Sequence, residues 1–159
     1  MHRQNLFADV PWDGEDATTG RRHRVFWRPD HARMGATLYE FDPGYDGDLL
    51  HMHYGREEMF FVLSGRVVFR NLEDEEVLAP GDFLFCPEGR AGLHAFGNPH
   101  DSPARILAMS AASYPEVVAY PEQGHAWVAT RVPELPPGDD PGLIARFEFH
   151  PDRPDQRIS

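Results

Sequence analysis

Two histidines one residue apart, His51 and His53, mark the stretch of this 159-residue chain where the residue types could do chemistry. In an extended strand, residues i and i+2 point to the same face, so a His-x-His pair aims two imidazoles at one point. Two carboxylates, Glu57 and Glu58, follow across a short polar turn and lead into an apolar run at 59–63. A carboxylate at the start of the next strand, paired with the first in a hairpin, reaches the same point. Two imidazoles and a carboxylate are most of a site for a divalent metal ion, and a fourth ligand has to come from elsewhere in the chain.

Composition narrows what such a site would serve. Twenty-six acidic against fifteen basic residues give a formal charge of −11, which opposes binding to nucleic-acid phosphates. All the basic residues are arginine, so Schiff-base chemistry and a lysine base are excluded. The single cysteine, Cys86, rules out an intrachain disulfide and a Cys-rich zinc site. It alternates with Leu84 ahead of Pro87 and reads as a small buried hydrophobe. No apolar run approaches the ~20 residues of a membrane span, and residues 1–16 lack a secretory-type apolar segment. The expectation is a soluble, cytoplasmic protein without nucleic-acid or membrane partners.

The elements that must hold the histidines are short strands. Segments 22–27, 35–41, 49–53, 58–63, 66–70, 76–78, 82–86, 92–96 and 104–110 have strand composition, with turn residues between them. Further strands are expected at 117–120, 126–131 and 143–149. No segment sustains a helical period, and strands at this spacing indicate an all-β sandwich or barrel. The acidic run at 73–76 reads as a solvated hairpin turn. We divide the chain into an N-terminal arm (1–20), a barrel (21–131) and a C-terminal extension (132–159). Residues 133–142, rich in Pro, Gly and Asp, read as a linker.

A second stretch, GDFLFCPEGRAGLHAFGN at 81–98, holds one histidine, His94, in an expected strand. Together the two stretches resemble the paired motifs of the cupin superfamily. His51, His53, Glu58 and Gly65 match the first motif, with six residues between Glu58 and Gly65. Glu57 has the wrong spacing to that glycine and the opposite strand parity. Gly81, Pro87, Gly89, His94 and Asn98 match the second, except that four residues rather than two separate Gly89 from His94. The motif YPEQG at 120–124 is similar to a stretch that follows the barrel in one group of bacterial cupins.

The resemblance implies a double-stranded β-helix, a jelly-roll barrel, in which His51, His53, Glu58 and His94 hold one divalent transition metal (Fe, Mn, Zn or Ni). It implies a metal-dependent enzyme on a small organic molecule, of dioxygenase or isomerase/lyase type, or else a non-catalytic small-molecule or sugar-binding cupin. The remaining histidines, His125 among them, read as ordinary surface or hydrogen-bonding residues. Leu38, Tyr39, Phe60 and Phe96 are candidates for the walls of the substrate pocket. Tyr54 and Arg56 sit in the turn between the ligand strands, and Asn98 reads as a turn cap. A homodimer is expected, because a barrel made of two sheets leaves strand edges to be covered. The arm and the strand at 143–149 are suited to crossing onto a partner.

Overall fold

A computed structural model describes residues 3–26, 32–130 and 142–149, and the fold within them is built almost wholly of antiparallel strands. The elements are β1 (Gly14–Asp16), β2 (Arg21–Val25), β3 (Met34–Phe41), β4 (Met52–His53), β5 (Arg56–Ser64), β6 (Val67–Arg70) and β7 (Glu75–Leu78). After these come β8 (Phe83–Cys86), a 3₁₀ turn (Arg90–Gly92), β9 (Ala95–Gly97), β10 (Ala104–Ala112), β11 (Glu116–Tyr120), β12 (His125–Ala129) and β13 (Ile144–Glu148).

One layer is a six-stranded sheet in the order β1-β2-β3-β10-β5-β8. The other consists of two ladders, β13-β12-β11-β4 and β7-β6-β9. These ladders meet where His51 and His94 form an isolated antiparallel bridge, with His51 N–H donating to His94 O at 3.0 Å and His94 N–H to His51 O at 2.9 Å. The core cluster draws on both layers: Phe41, Phe60, Val62, Ala104 and Ile106 from the large sheet, Val67, Leu78 and Phe96 from the other. This is the expected jelly-roll barrel.

Strand alternation decides what faces inward. On β5, Glu58, Phe60 and Val62 are buried, whereas Glu57 and Phe61 are exposed. On β3, Tyr39 and Phe41 lie opposite the inward-facing Ile106 and Ala104 of β10, while Leu38 and Glu40 lie opposite Leu107 and Arg105 on the outer face.

The N-terminal segment is bound to the barrel more closely than an arm or loop. Its β1 extends the large sheet, with Glu15 paired to Arg22. The Arg24 guanidinium, 8% exposed, donates to Ala8 O (3.1 Å) and Val10 O (2.6 Å) and lies 5.0 Å from the Trp12 ring centroid. The strand expected at 143–149 is present as β13, and it pairs with β12 of the same chain. Trp27, Arg131, residues 132–141 and residues 150–159 lie outside the described residues.

Two expected strands are shorter than their composition suggested. Segment 49–53 ladders only at Met52–His53, and segment 92–96 begins as a 3₁₀ turn. The reason lies in the four-residue spacer before His94. It folds into a tight turn closed by Gly92 N–H donating to Gly89 O (3.0 Å), and a Cβ on Gly92 would lie 1.8 Å from Pro87 O. After β9, Asn98 is fully buried, and its Nδ2 donates to Phe41 O, Asp42 O and Ser102 O at 3.1, 3.1 and 2.9 Å. It fastens the end of β3 to the loop leading into β10.

Candidate metal centre

The fold brings His51, His53, Glu58 and His94 together: one ligand atom from each lies within 4.8 Å of the others. Three local devices bring them there. His53 is held by the β4 ladder to β11, Glu58 by β5 between β10 and β8, and His51 and His94 by their mutual bridge. The choice of Glu58 over Glu57 agrees with the strand parity seen here, since Glu57 faces solvent.

The Nδ1 atoms of all three rings are tied back. His51 Nδ1 lies 2.8 Å from Leu49 O and His94 Nδ1 lies 2.8 Å from Gly92 O. A carbonyl can only accept, so each Nδ1 carries a proton and each ring turns its Nε2 to the cluster. His53 Nδ1 is 3.2 Å from Glu116 Oε1, a carboxylate that serves the same purpose. On the other side, His53 Nε2 and His94 Nε2 lie 3.2 and 3.3 Å from the same oxygen, Glu58 Oε2. Four donors on one point, each imidazole fixed in orientation from behind, fit a divalent transition ion.

Electrostatics divide the ligands. Burial, reinforced by the neighbouring His94 and His53, pushes the His51 pKa down to about 3, so this ring is neutral at ordinary pH. Burial opposes charge on His53 too, but the hydrogen bonds it donates to Glu116 and Glu58 outweigh it and raise its pKa. Burial would raise the Glu58 pKa, yet hydrogen bonds from His53 and His94 hold it well below the usual carboxylate range. Arg56 Nη1, at 3.9 Å from Glu58 Oε1, adds a cation at the cluster's edge. The buried Cys86 lies opposite Glu58 on β8, and burial with the Glu58 charge pushes its thiol up to about 12, so it is no nucleophile.

His51, Glu58 and His94 of the cluster line a cavity of about 470 Å³, and His53 stands behind them. Of the four wall residues expected, Tyr39, Phe60 and Phe96 line it and Leu38 does not. Leu38, 1% exposed, is buried on the outer face of β3. The sequence reading missed much of the polar lining. Asp48 accepts hydrogen bonds from Arg21 Nη1 and Tyr45 Oη, both at 2.7 Å, and the Arg21 guanidinium lies 5.7 Å from the Tyr39 ring centroid. Tyr120, first residue of the YPEQG motif, stacks between His51 (5.6 Å) and the buried His125 (4.7 Å). Tyr54 is exposed, as expected of a turn residue.

Comparison with known proteins agrees with this geometry. Residues 37–110 match the family model described as Cupin domain. A candidate sugar phosphate isomerase from Acidithiobacillus ferrooxidans aligns at 26% identity and a TM-score of 0.62, over 80% of this chain and 72% of that one. A cupin-superfamily sugar phosphate isomerase from Silicibacter pomeroyi aligns at 21% identity and a TM-score of 0.69, over 96% and 88%. The polyketide cyclase RemF from Streptomyces resistomycificus aligns at 23% identity and a TM-score of 0.59, over 73% and 84%. No curated protein matches the chain. The class defined by barrel and cluster is thus the cupin class. This chain is a small cupin-domain protein with a His-His-Glu-His cluster inside its barrel.

Proposed function

We propose that the chain is a metal-dependent enzyme in which His51, His53, Glu58 and His94 hold one divalent transition metal and a small oxygen-bearing organic molecule reacts in the cavity beside it. The observation that carries this reading is the convergence of three tied-back imidazoles and Glu58 on one point of a 470 Å³ cavity. Three neutral imidazoles and one carboxylate around a dication leave a net charge of about +1, which attracts an anionic or enolisable oxygen. When bound, the metal would supply Lewis acidity toward that oxygen. Tyr39, Phe60 and Phe96 would wall the substrate, while Arg21, Asp48 and Tyr45 offer donors and acceptors to its oxygen atoms.

The names of the A. ferrooxidans and S. pomeroyi proteins favour an isomerase acting on a hydroxylated carbonyl compound over a dioxygenase. The test is to load the protein with Zn(II), Mn(II), Fe(II) or Ni(II) and incubate it with aldoses, ketoses and their phosphates, following interconversion by NMR. Metal-dependent turnover supports the reading. Ligand binding without turnover under every metal would leave a binding protein. Oxygen consumption with Fe(II) and an aromatic substrate would make the chain a dioxygenase.

We also propose a homodimer formed through the outer face of the large sheet. Phe83, Phe85 and Phe61 stand 56%, 49% and 37% exposed there on β8 and β5. Exposed apolar clusters of this kind mark association surfaces. Light scattering should give a dimer mass that Phe83→Asp lowers; a wild-type monomer mass would remove the claim. Among the described residues no helix is long and apolar enough to cross a membrane.

A further inference from the structure

The three imidazoles are not held alike. His51 and His94 rest on neutral main-chain carbonyls, but His53 rests on the side chain of Glu116, a residue 63 positions further along the chain. Glu116 opens β11, two residues before Val118, which is paired with His53, and it is only 2% exposed. Its Oε1 lies 3.2 Å from His53 Nδ1. Its Oε2 has no hydrogen-bond partner among the described residues.

A buried carboxylate is costly, so a chain that keeps one builds a place for it. Here that place is visible. Gly55, in the turn between β4 and β5, leaves room for the carboxylate: a Cβ there would meet Glu116 Oε2 at 3.1 Å and Ser113 O at 2.8 Å. Beside Glu116 lies a second, smaller cavity of about 180 Å³, also lined by Arg56, Tyr114, Tyr120 and Trp127. Arg56 Nε and Tyr114 Oη are likewise buried without partners. Residues with spare donors thus line the same cavity as Glu116 with its spare acceptor, in a space large enough for bridging water.

We propose that Glu116 is a positioning residue of the metal centre: it accepts the His53 Nδ1–H, fixes the ring with Nε2 turned to the cluster, and places a negative charge behind one ligand only. The orienting part depends on the fold alone; the consequence for metal affinity rests on the metal reading above. A carboxylate behind an imidazole makes the ring a stronger donor, and loss of such an outer partner costs about 10–100-fold in metal affinity.

The test compares wild type, Glu116→Gln and Glu116→Val in two measurements. In the metal-free proteins, ¹H NMR follows the downfield, slowly exchanging Nδ1–H of His53, with those of His51 and His94 as internal controls of the fold. The resonance should persist in wild type and Glu116→Gln and vanish in Glu116→Val. Chelator competition with Zn(II) should show about a 10–100-fold loss of affinity for Glu116→Val and a smaller, measurable loss for Glu116→Gln, which keeps an acceptor without the charge. Persistence of the His53 resonance in Glu116→Val, or Zn(II) affinity within about twofold of wild type in that variant, would overturn the proposal. If Glu116→Val does not fold, Glu116→Gln decides: unchanged affinity overturns the charge role. If wild type binds no Zn(II), the metal reading falls, and the NMR comparison still decides whether Glu116 holds the ring.

Discussion

Replacing Glu58 by glutamine preserves shape and one acceptor oxygen, turns the other oxygen into an NH2 donor and removes the charge. The Glu58 side chain is 11% exposed, with Oε2 3.2 Å and 3.3 Å from two imidazole nitrogens, so it has little room to be replaced by water. Removal of an outer-shell partner costs about 10–100-fold in metal affinity, so loss of a charged ligand should cost at least about 100-fold, or about 2.7 kcal/mol. Thermal unfolding with and without Zn(II) reads this directly. At free metal about 1,000 times the wild-type Kd, binding stabilises the fold by about 4.1 kcal/mol; a site about 100-fold weaker gains about 1.4 kcal/mol at the same concentration. At about 2–4 °C per kcal/mol for a chain of this size, the metal-induced shift in Tm should fall from about 8–16 °C to about 3–6 °C. The metal-free variant should itself unfold below wild type, because ionised Glu58 accepts from His53 and His94 and loss of its charge leaves His53 without that partner, so each shift is read against the same protein without metal. Glu57→Gln, on the solvent face of the same strand, is the control and should keep the full shift. A Glu58→Gln protein with the wild-type shift, or a Glu57→Gln protein without it, would refute the ligand assignment.

Three further outcomes are expected. His53 has a raised pKa and holds its proton to higher pH, so below that pKa the metal must displace it: affinity should climb by about one log unit per pH unit from mildly acidic pH up to that raised pKa and then level off, with proton release read by calorimetry in buffers of different ionisation heat. Over that range His51, with a pKa of about 3, contributes no proton, and a flat profile would contradict the assignment. Asn98→Ala should destabilise the fold by about 1–3 kcal/mol or more, since three carbonyls lose their donor, and Asn98→Asp should be worse because an oxygen then faces them; wild-type stability of Asn98→Asp in denaturant titration would contradict this. Cys86, buried and with its pKa at about 12, should resist alkylation at mildly alkaline pH until the protein unfolds; rapid labelling of the native protein would show a more open β5–β8 edge.

What the sequence made legible was what strand geometry dictates locally. The His51–His53 pair needs only a two-residue period, and Glu58 separates from Glu57 by parity alone. The same rule exposes the weakness in the pocket list. Leu38 and Tyr39 are neighbours on one strand, so they could not both face the cavity, and Tyr39 does. Partners distant in the chain left no such signal. Glu116 meets His53 through the β4–β11 register, and Arg21 meets Asp48 across 27 positions. Tyr120 was visible only as part of the YPEQG likeness, and nothing there told of its place between two imidazoles. The polar segment Gly14–Asp16 has no strand composition. It pairs in register with β2, and the ion pair of Glu15 with Arg22 (3.6 Å) accompanies that pairing.

The central claim is that four side chains of this barrel hold one metal ion. X-ray absorption on protein purified without a metal-affinity tag, with elemental analysis of the same sample, tests it most directly. The account expects about one equivalent of a divalent transition metal, bound by three imidazole nitrogens and a carboxylate oxygen at about 2.0–2.2 Å. A protein that retains no metal and binds none at micromolar concentration, or one whose metal sees fewer than three imidazoles, would contradict it.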